Sequence, residues 1–176
     1  MGRSSELMIT TLVYTRLNDN IFRWWDLRTR KLTTSLVFPT AITSMELSPQ
    51  TQRLVVTSGN TVAFIPVLPN GQATHSLTLG YSPSSASIHP VLQDRFVTGN
   101  LGDEWVRVHG MDGEEREVLK GHHGPVHCVE FSPDGEMYAS GSGECYAIIM
   151  FRHTLIHNYV SSEDGKHSRP FCLQNY

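Results

Sequence analysis

Cysteine is scarce in this 176-residue chain: Cys128, Cys145 and Cys172 are all there are, at spacings of 17 and 27 positions. No two stand three positions apart, which excludes a C-x-x-C redox motif and the zinc frameworks built from such pairs. An odd, sparse set of thiols fits a reducing compartment, so the cytoplasm, with the nucleus beside it, is the expected location. Basic charge is also short, with 14 Lys plus Arg against 17 Asp plus Glu and a formal net charge of −3. Sequence-independent nucleic-acid binding rests on neutralising phosphates, and this mild acidity argues against it. No apolar run reaches the ~18 residues of a membrane-spanning helix. Arg3 followed by Leu7 to Tyr14, broken by Thr10 and Thr11, makes a poor signal peptide, and no membrane contact is expected. Gly141-Ser142-Gly143 is glycine-rich, but no P-loop lysine follows it. Without that lysine there is no phosphate cradle, and no cofactor is expected.

What the chain does have is a repeat. Ser48-Pro49 leads to Leu54-Val55-Val56-Thr57-Ser58-Gly59, His89-Pro90 to Phe96-Val97-Thr98-Gly99, and Ser132-Pro133-Asp134-Gly135 to Met137-Tyr138-Ala139-Ser140-Gly141. The prolines are 41 and 43 positions apart. A period of about 40–45 residues made of short strands and turns is that of a propeller blade. In one unit the predicted strands are Ala41–Leu47, Arg53–Thr57, Thr61–Val67 and Ala73–Leu79, with turns at Pro49, Ser58-Gly59-Asn60 and Pro69-Asn70-Gly71. Proline marks these turns because its ring presets the φ a corner needs, and glycine because it takes a positive φ at no steric cost. The next unit offers Ser85–Ile88, Arg95–Thr98, Trp105–Val108 and Arg116–Leu119; the last offers Pro125–Phe131 and Met137–Ser140. Upstream, Leu12–Thr15, Ile21–Trp25 and Lys31–Phe38 supply three strands of an earlier unit. The fold class expected is all-β, with turn signals every eight to twelve residues.

Arg23-Trp24-Trp25-Asp26 and Gly121-His122 resemble the Trp-Asp that closes, and the Gly-His that opens, a repeat of the WD40 family. The resemblance implies a partial WD40 β-propeller over residues 1–143, with blades near 8–38, 41–79, 85–119 and an incomplete one at 121–152, then an irregular tail over 153–176. In that family a His, a Ser or Thr, an Asp and a Trp form a buried hydrogen-bonded tetrad. By position Thr15, Asp19 and Trp25 fill three of its places in the first blade, and His122 and Ser140 fill two in the last. The segment Leu119 to Ser142, with Ser44-Met45-Glu46 and Ser85-Ala86-Ser87-Ile88-His89-Pro90, is similar to WD40 scaffolds that bind kinase receptors and join the assembly of spliceosomal ribonucleoproteins (the survival-of-motor-neuron complex). A similar Gly-His-x-Gly-Pro opening occurs in WD40 subunits of the translation-initiation machinery. The implied function is a non-enzymatic scaffold for protein–protein interaction, with ribonucleoprotein assembly factors or kinase receptors as partners.

After Ser142 the resemblance stops, although Ala147–Phe151 can still serve as a third strand. The expectation is a truncated or alternatively spliced product, with unclosed blade faces open to self-association.

Reactive side chains cluster at His122-His123, His127 and Cys128. A metal site needs ligands converging on one point, and a Cys–His nucleophile needs both groups within hydrogen-bond reach. On a strand His127 and Cys128 point to opposite faces, so neither a metal nor a catalytic residue is assigned. Arg16, Arg23, Arg28, Arg30 and Lys31 surround Trp24 and Trp25, a neighbourhood able to stack and neutralise RNA. The preferred reading is a solvated turn beside a blade-core tryptophan, not an RNA contact.

Overall fold

A computed structural model describes residues 11–15, 20–67, 75–143, 147–151 and 154–158. They form fifteen strands. β1 (Thr11–Thr15), β2 (Ile21–Asp26) and β3 (Lys31–Val37) make a three-stranded sheet. β4 (Ile42–Ser48), β5 (Arg53–Ser58), β6 (Thr61–Pro66) and β7 (His75–Thr78) make the second sheet. β8 (Pro83–Ile88), β9 (Arg95–Asn100), β10 (Val106–Gly110) and β11 (Glu115–Leu119) make the third. β12 (Val126–Phe131), β13 (Met137–Ser142), β14 (Ala147–Phe151) and β15 (Thr154–Asn158) make the fourth. Every sheet is an antiparallel meander in chain order. Ala147–Phe151 takes the third place in its sheet, as the sequence allows. Thr154–Asn158 follows as the fourth strand, inside the stretch read as irregular; the remainder of that stretch lies outside the described residues.

Burial is deepest in β8 and in the middle strands of the second and third sheets and falls off at the outer edge, and the residue types follow. β5, β6, β8, β9 and β10 are buried along almost their whole length. They therefore carry apolar or small residues at consecutive positions, as strands covered on both faces do. β3, β7 and β11 are largely exposed and polar. Between sheets, apolar side chains interlock: Phe22 and Trp24 of the first pack with Ile42, Leu54, Val56, Ala63 and Ile65 of the second. Val55, Val62 and Phe64 meet Ala86, Ile88 and Phe96. Val97, Val106 and Val108 meet Val126 and Val129.

The inner strands repeat one irregularity. Register shifts fall between Ile42 and Ser44, Pro83 and Ser85, and Val126 and Cys128. A bulge frees one residue from the ladder, and here the freed hydroxyls reach the next sheet. Thr43 Oγ1 donates to the Pro83 carbonyl at 3.4 Å, and Ser84 Oγ to the Val126 carbonyl at 2.5 Å. Gly99 lies against this second contact, and a Cβ there would come within 2.7 Å of Val126 Cγ1.

Candidate interaction surface and the polar network beneath it

His122 and Ser140 are both buried, and His122 Nε2 lies 2.8 Å from Ser140 Oγ. A small cavity between the third and fourth sheets opens beside them, lined also by Val106, Leu119, Gly121, Tyr138 and Ile148. In the first sheet Thr15 sits opposite Phe22 and Trp25 opposite Leu12, so the register does not bring Thr15 and Trp25 to one rung. Asp19 lies outside the described residues. Trp25 is half-buried. Trp24 is the deeply placed indole at 5% exposure, edge-on to Phe22 and donating its Nε1–H to the Val67 carbonyl at 3.0 Å. His127 falls at the β12 bulge, so it and Cys128 are both exposed instead of alternating across the sheet. Arg28 and Arg30 are exposed in the β2–β3 turn, where Asp26 Oδ1 accepts the amides of Arg28 and Thr29. Cys145 and Cys172 lie outside the described residues. Among the described residues no group of three or more His, Cys, Asp or Glu is placed to hold a metal. No helix there is long and apolar enough to cross a membrane.

The third sheet holds a network that the repeat pattern did not announce. Tyr81, which follows Gly80 as His122 follows Gly121, sets its hydroxyl 2.6 Å from Thr98 Oγ1 and 2.6 Å from His109 Nε2. Thr98 stands at the rung of Ser140, since Ala86 pairs Thr98 as Val129 pairs Ser140. The sequence reading ended the third strand at Val108; the strand runs to Gly110 and carries His109 into the interior. Desolvation by burial holds the His109 imidazole below its ordinary pKa and favours the neutral ring, whose Nε2 shares a hydrogen bond with the Tyr81 hydroxyl. Thr98 Oγ1 and the Tyr81 oxygen share a second. Burial likewise pushes Tyr81 up to about 12 and keeps it a phenol. His109 stacks on Phe96 with ring centroids 5.1 Å apart. The signal for this network was the Gly80-Tyr81 pair, 41 positions before Gly121-His122.

Arg107 ties that interior to the rim. Its guanidinium lies 4.3 Å from the Tyr81 ring centroid, forks onto both Asp103 carboxylate oxygens, and reaches Glu115 Oε2 at 3.0 Å. Burial acts against the Asp103 carboxylate, but the bonds from Arg107 and from the Trp105 amide outweigh it and hold its pKa low. On the same guanidinium sits Trp105, centroid 5.0 Å away, with Lys120 Nζ 4.0 Å from that centroid. Trp105 is only partly buried, and Glu104 before it takes φ 65°, so the β9–β10 loop projects the indole at a fixed angle. Leu101, 49% exposed, is in the same loop. A partly exposed tryptophan is among the side chains in which binding energy concentrates at protein interfaces. At the opposite end of the sheet the β8–β9 loop exposes Val91 and Leu92.

Four sheets in sequence, each an antiparallel meander and the last three bonded to one another through a shared bulge, are the blades of a WD40 β-propeller. This is a WD40-repeat chain: the WD domain, G-beta repeat pattern matches residues 113–149, from the outer strand of the third blade into the third strand of the fourth. The particular proteins it resembles are those called serine-threonine kinase receptor-associated protein. That of Dictyostelium discoideum is 43% identical over 147 residues, covering 76% of this chain and 48% of that protein. The Homo sapiens protein is 39% identical over 125 residues, covering 71% and 35%. More distant is eukaryotic translation initiation factor 3 subunit I of Culex quinquefasciatus, 26% identical over 184 residues, covering 91% and 56%. The chain thus spans between a third and a half of the length of its kinase receptor-associated relatives.

Proposed function

We propose that this chain is a non-enzymatic scaffold that holds a protein partner on the rim formed by Leu101, Trp105 and Lys120. The observation that supports the reading is the division of labour among polar groups. His122, Ser140, Tyr81, Thr98, His109 and Arg107 are bonded to one another or to their own blades. Trp105 and Lys120 are left as a stiff, partly exposed pair. WD40 propellers generally mediate protein–protein contacts, and the kinase receptor-associated relatives are named for a serine-threonine kinase receptor. By that likeness the partner is the cytoplasmic part of such a receptor, and the finer role is in assembling spliceosomal ribonucleoproteins, in the cytoplasm and also in the nucleus. A place in translation initiation is the second reading, favoured by a match along 91% of the chain.

The test is titration of the full chain against a purified receptor kinase domain, ribonucleoprotein assembly factors and initiation-factor subunits, with Trp105→Ala and Lys120→Glu beside the parent. A partner that binds the parent and loses about tenfold or more with either variant supports the rim. Equal binding by all three chains places the partner elsewhere and overturns it.

A further inference from the structure

The β8–β9 loop carries an adjacent pair of branched apolar side chains, Val91 at 60% and Leu92 at 53% exposure. After the same proline, the second sheet has Gln50-Thr51-Gln52 at this corner and the fourth has Asp134-Gly135-Glu136. The repeat therefore does not demand apolar side chains here. Nor is the loop loose. His89 Nδ1 accepts the amides of Val91 at 3.3 Å and Leu92 at 3.1 Å, and Gln93, at φ 54°, donates its amide to the His89 carbonyl at 3.2 Å. The imidazole is itself buried, tilted on Phe131 with ring centroids 5.1 Å apart, and Gly135 of the β12–β13 turn lies against it. The Asp94 carbonyl accepts the Met111 amide at 3.1 Å, which fixes the loop to the β10–β11 turn as well. An apolar pair held in place before it binds loses little freedom when it does.

The turns around it are acidic. Asp94 is paired with Arg95, and Asp112 with Arg116. Glu114, Asp134 and Glu136 are exposed and belong to no ion pair among the described residues. Asp134 stands on the turn that touches His89, its carboxylate held by the Ser132 hydroxyl and the Glu136 amide. We infer that this end of the third and fourth blades is a second docking surface, and that its occupant is a cationic amphipathic segment of another protein. Apolar side chains of that segment cover Val91 and Leu92, and its Lys or Arg residues meet Glu114, Asp134 and Glu136. Phosphate-bearing partners encounter the same negative field and are turned away. The surface lies at the opposite end of the sheets from Trp105 and does not depend on the rim, so the chain bridges two proteins.

The probe is a helical peptide of leucine and lysine with its leucines on one face, titrated against the full chain by fluorescence anisotropy. A leucine–glutamate peptide of the same pattern is the control. The parent should bind the lysine peptide, and Val91→Ser/Leu92→Ser should lose about tenfold or more. Glu114→Gln/Glu136→Gln should weaken binding severalfold at low salt and little at high salt. Trp105→Ala should bind as the parent does. All four substituted side chains at the docking surface are exposed, so circular dichroism should match the parent. No binding by the parent overturns the proposal, as does equal binding by Val91→Ser/Leu92→Ser or of the glutamate peptide. A loss with Trp105→Ala as large as that with Val91→Ser/Leu92→Ser places the peptide on the rim and overturns it too.

Discussion

Replacing Tyr81 with Phe deletes one oxygen and leaves every ring contact in place. That oxygen serves two buried atoms, Thr98 Oγ1 and His109 Nε2, each at 2.6 Å. Neither has water to turn to, since Thr98 and His109 are both buried. A net hydrogen bond is worth about 0.5–1.5 kcal/mol, and a buried partner left unsatisfied costs about 1–3 kcal/mol. The expected loss is therefore about 2–3 kcal/mol, or about 5–10 °C in Tm for a chain of this size. Stacking of His109 on Phe96 and of Arg107 over the residue 81 ring should survive, so the circular dichroism spectrum should not change. Urea unfolding at pH 7.5 followed by tryptophan fluorescence measures the loss. A double-mutant cycle with Thr98→Val isolates the network, because once the hydroxyl of residue 81 is gone the Thr98 hydroxyl has only a long 3.5 Å contact with the Arg107 carbonyl. Coupling of about 0.5–3 kcal/mol is expected. A loss below about 0.5 kcal/mol for Tyr81→Phe, or strict additivity in the cycle, would refute the reasoning.

Arg107→Met leaves Asp103 and Glu115 without their shared cation, and because both carboxylates are partly exposed and can be hydrated the expected cost is about 1–2 kcal/mol in urea unfolding. Arg107→Lys should recover less than half of that, since an ammonium cannot fork onto Asp103. Gly135 takes φ 76° in the β12–β13 turn, and a Cβ there would run into the His89 ring. Gly135→Ala should lower Tm by several degrees, from about 1–3 kcal/mol of backbone strain and displaced imidazole. Val56, fully buried, occupies in the second blade the rung that Thr98 and Ser140 hold in the third and fourth. Val56→Thr should cost about 1–3 kcal/mol by burying a hydroxyl among Phe22, Leu54 and Ala63. Ser140→Ala, tested the same way, removes the buried hydroxyl 2.8 Å from His122 Nε2 and should cost about 1 kcal/mol.

How much of this could be read beforehand depended on whether a feature repeats. Ser-Pro turns and β-branched runs recur with the blade period, so strand order emerged with boundaries within about two residues at most ends. The His122–Ser140 pair was visible for the same reason: both residues keep the repeat's own types. Tyr81, Thr98 and His109 escaped because the third blade fills equivalent places with other side chains, and stopping its third strand at Val108 left His109 in a turn. The rim and the Glu46–Ser87–Glu130 rung were less legible still. Trp105, Arg107, Asp103 and Lys120 meet through a loop in which Glu104 takes a left-handed φ, which no periodicity encodes. Glu46, Ser87 and Glu130 look unrelated along the chain, 41 and 43 positions apart, and become a set only when register aligns the bulges.

The two perturbed interior groups pull stability in opposite directions, and this divides the molecule by blade. His109 is depressed by burial, so its contribution is complete above about 6.5 and is lost as pH falls toward the folded value. Glu46 is raised, so its contribution is lost as pH rises through about 7. A global unfolding curve across pH 5–8 sums the two opposed contributions. Site-resolved exchange should isolate that of His109: amides around Phe96 and His109 lose protection on the acid side. The rim at Trp105 is built on the His109 side, through Arg107 and Tyr81. A partner held there should consequently bind less tightly at acid pH, once the His109 imidazole takes up a proton.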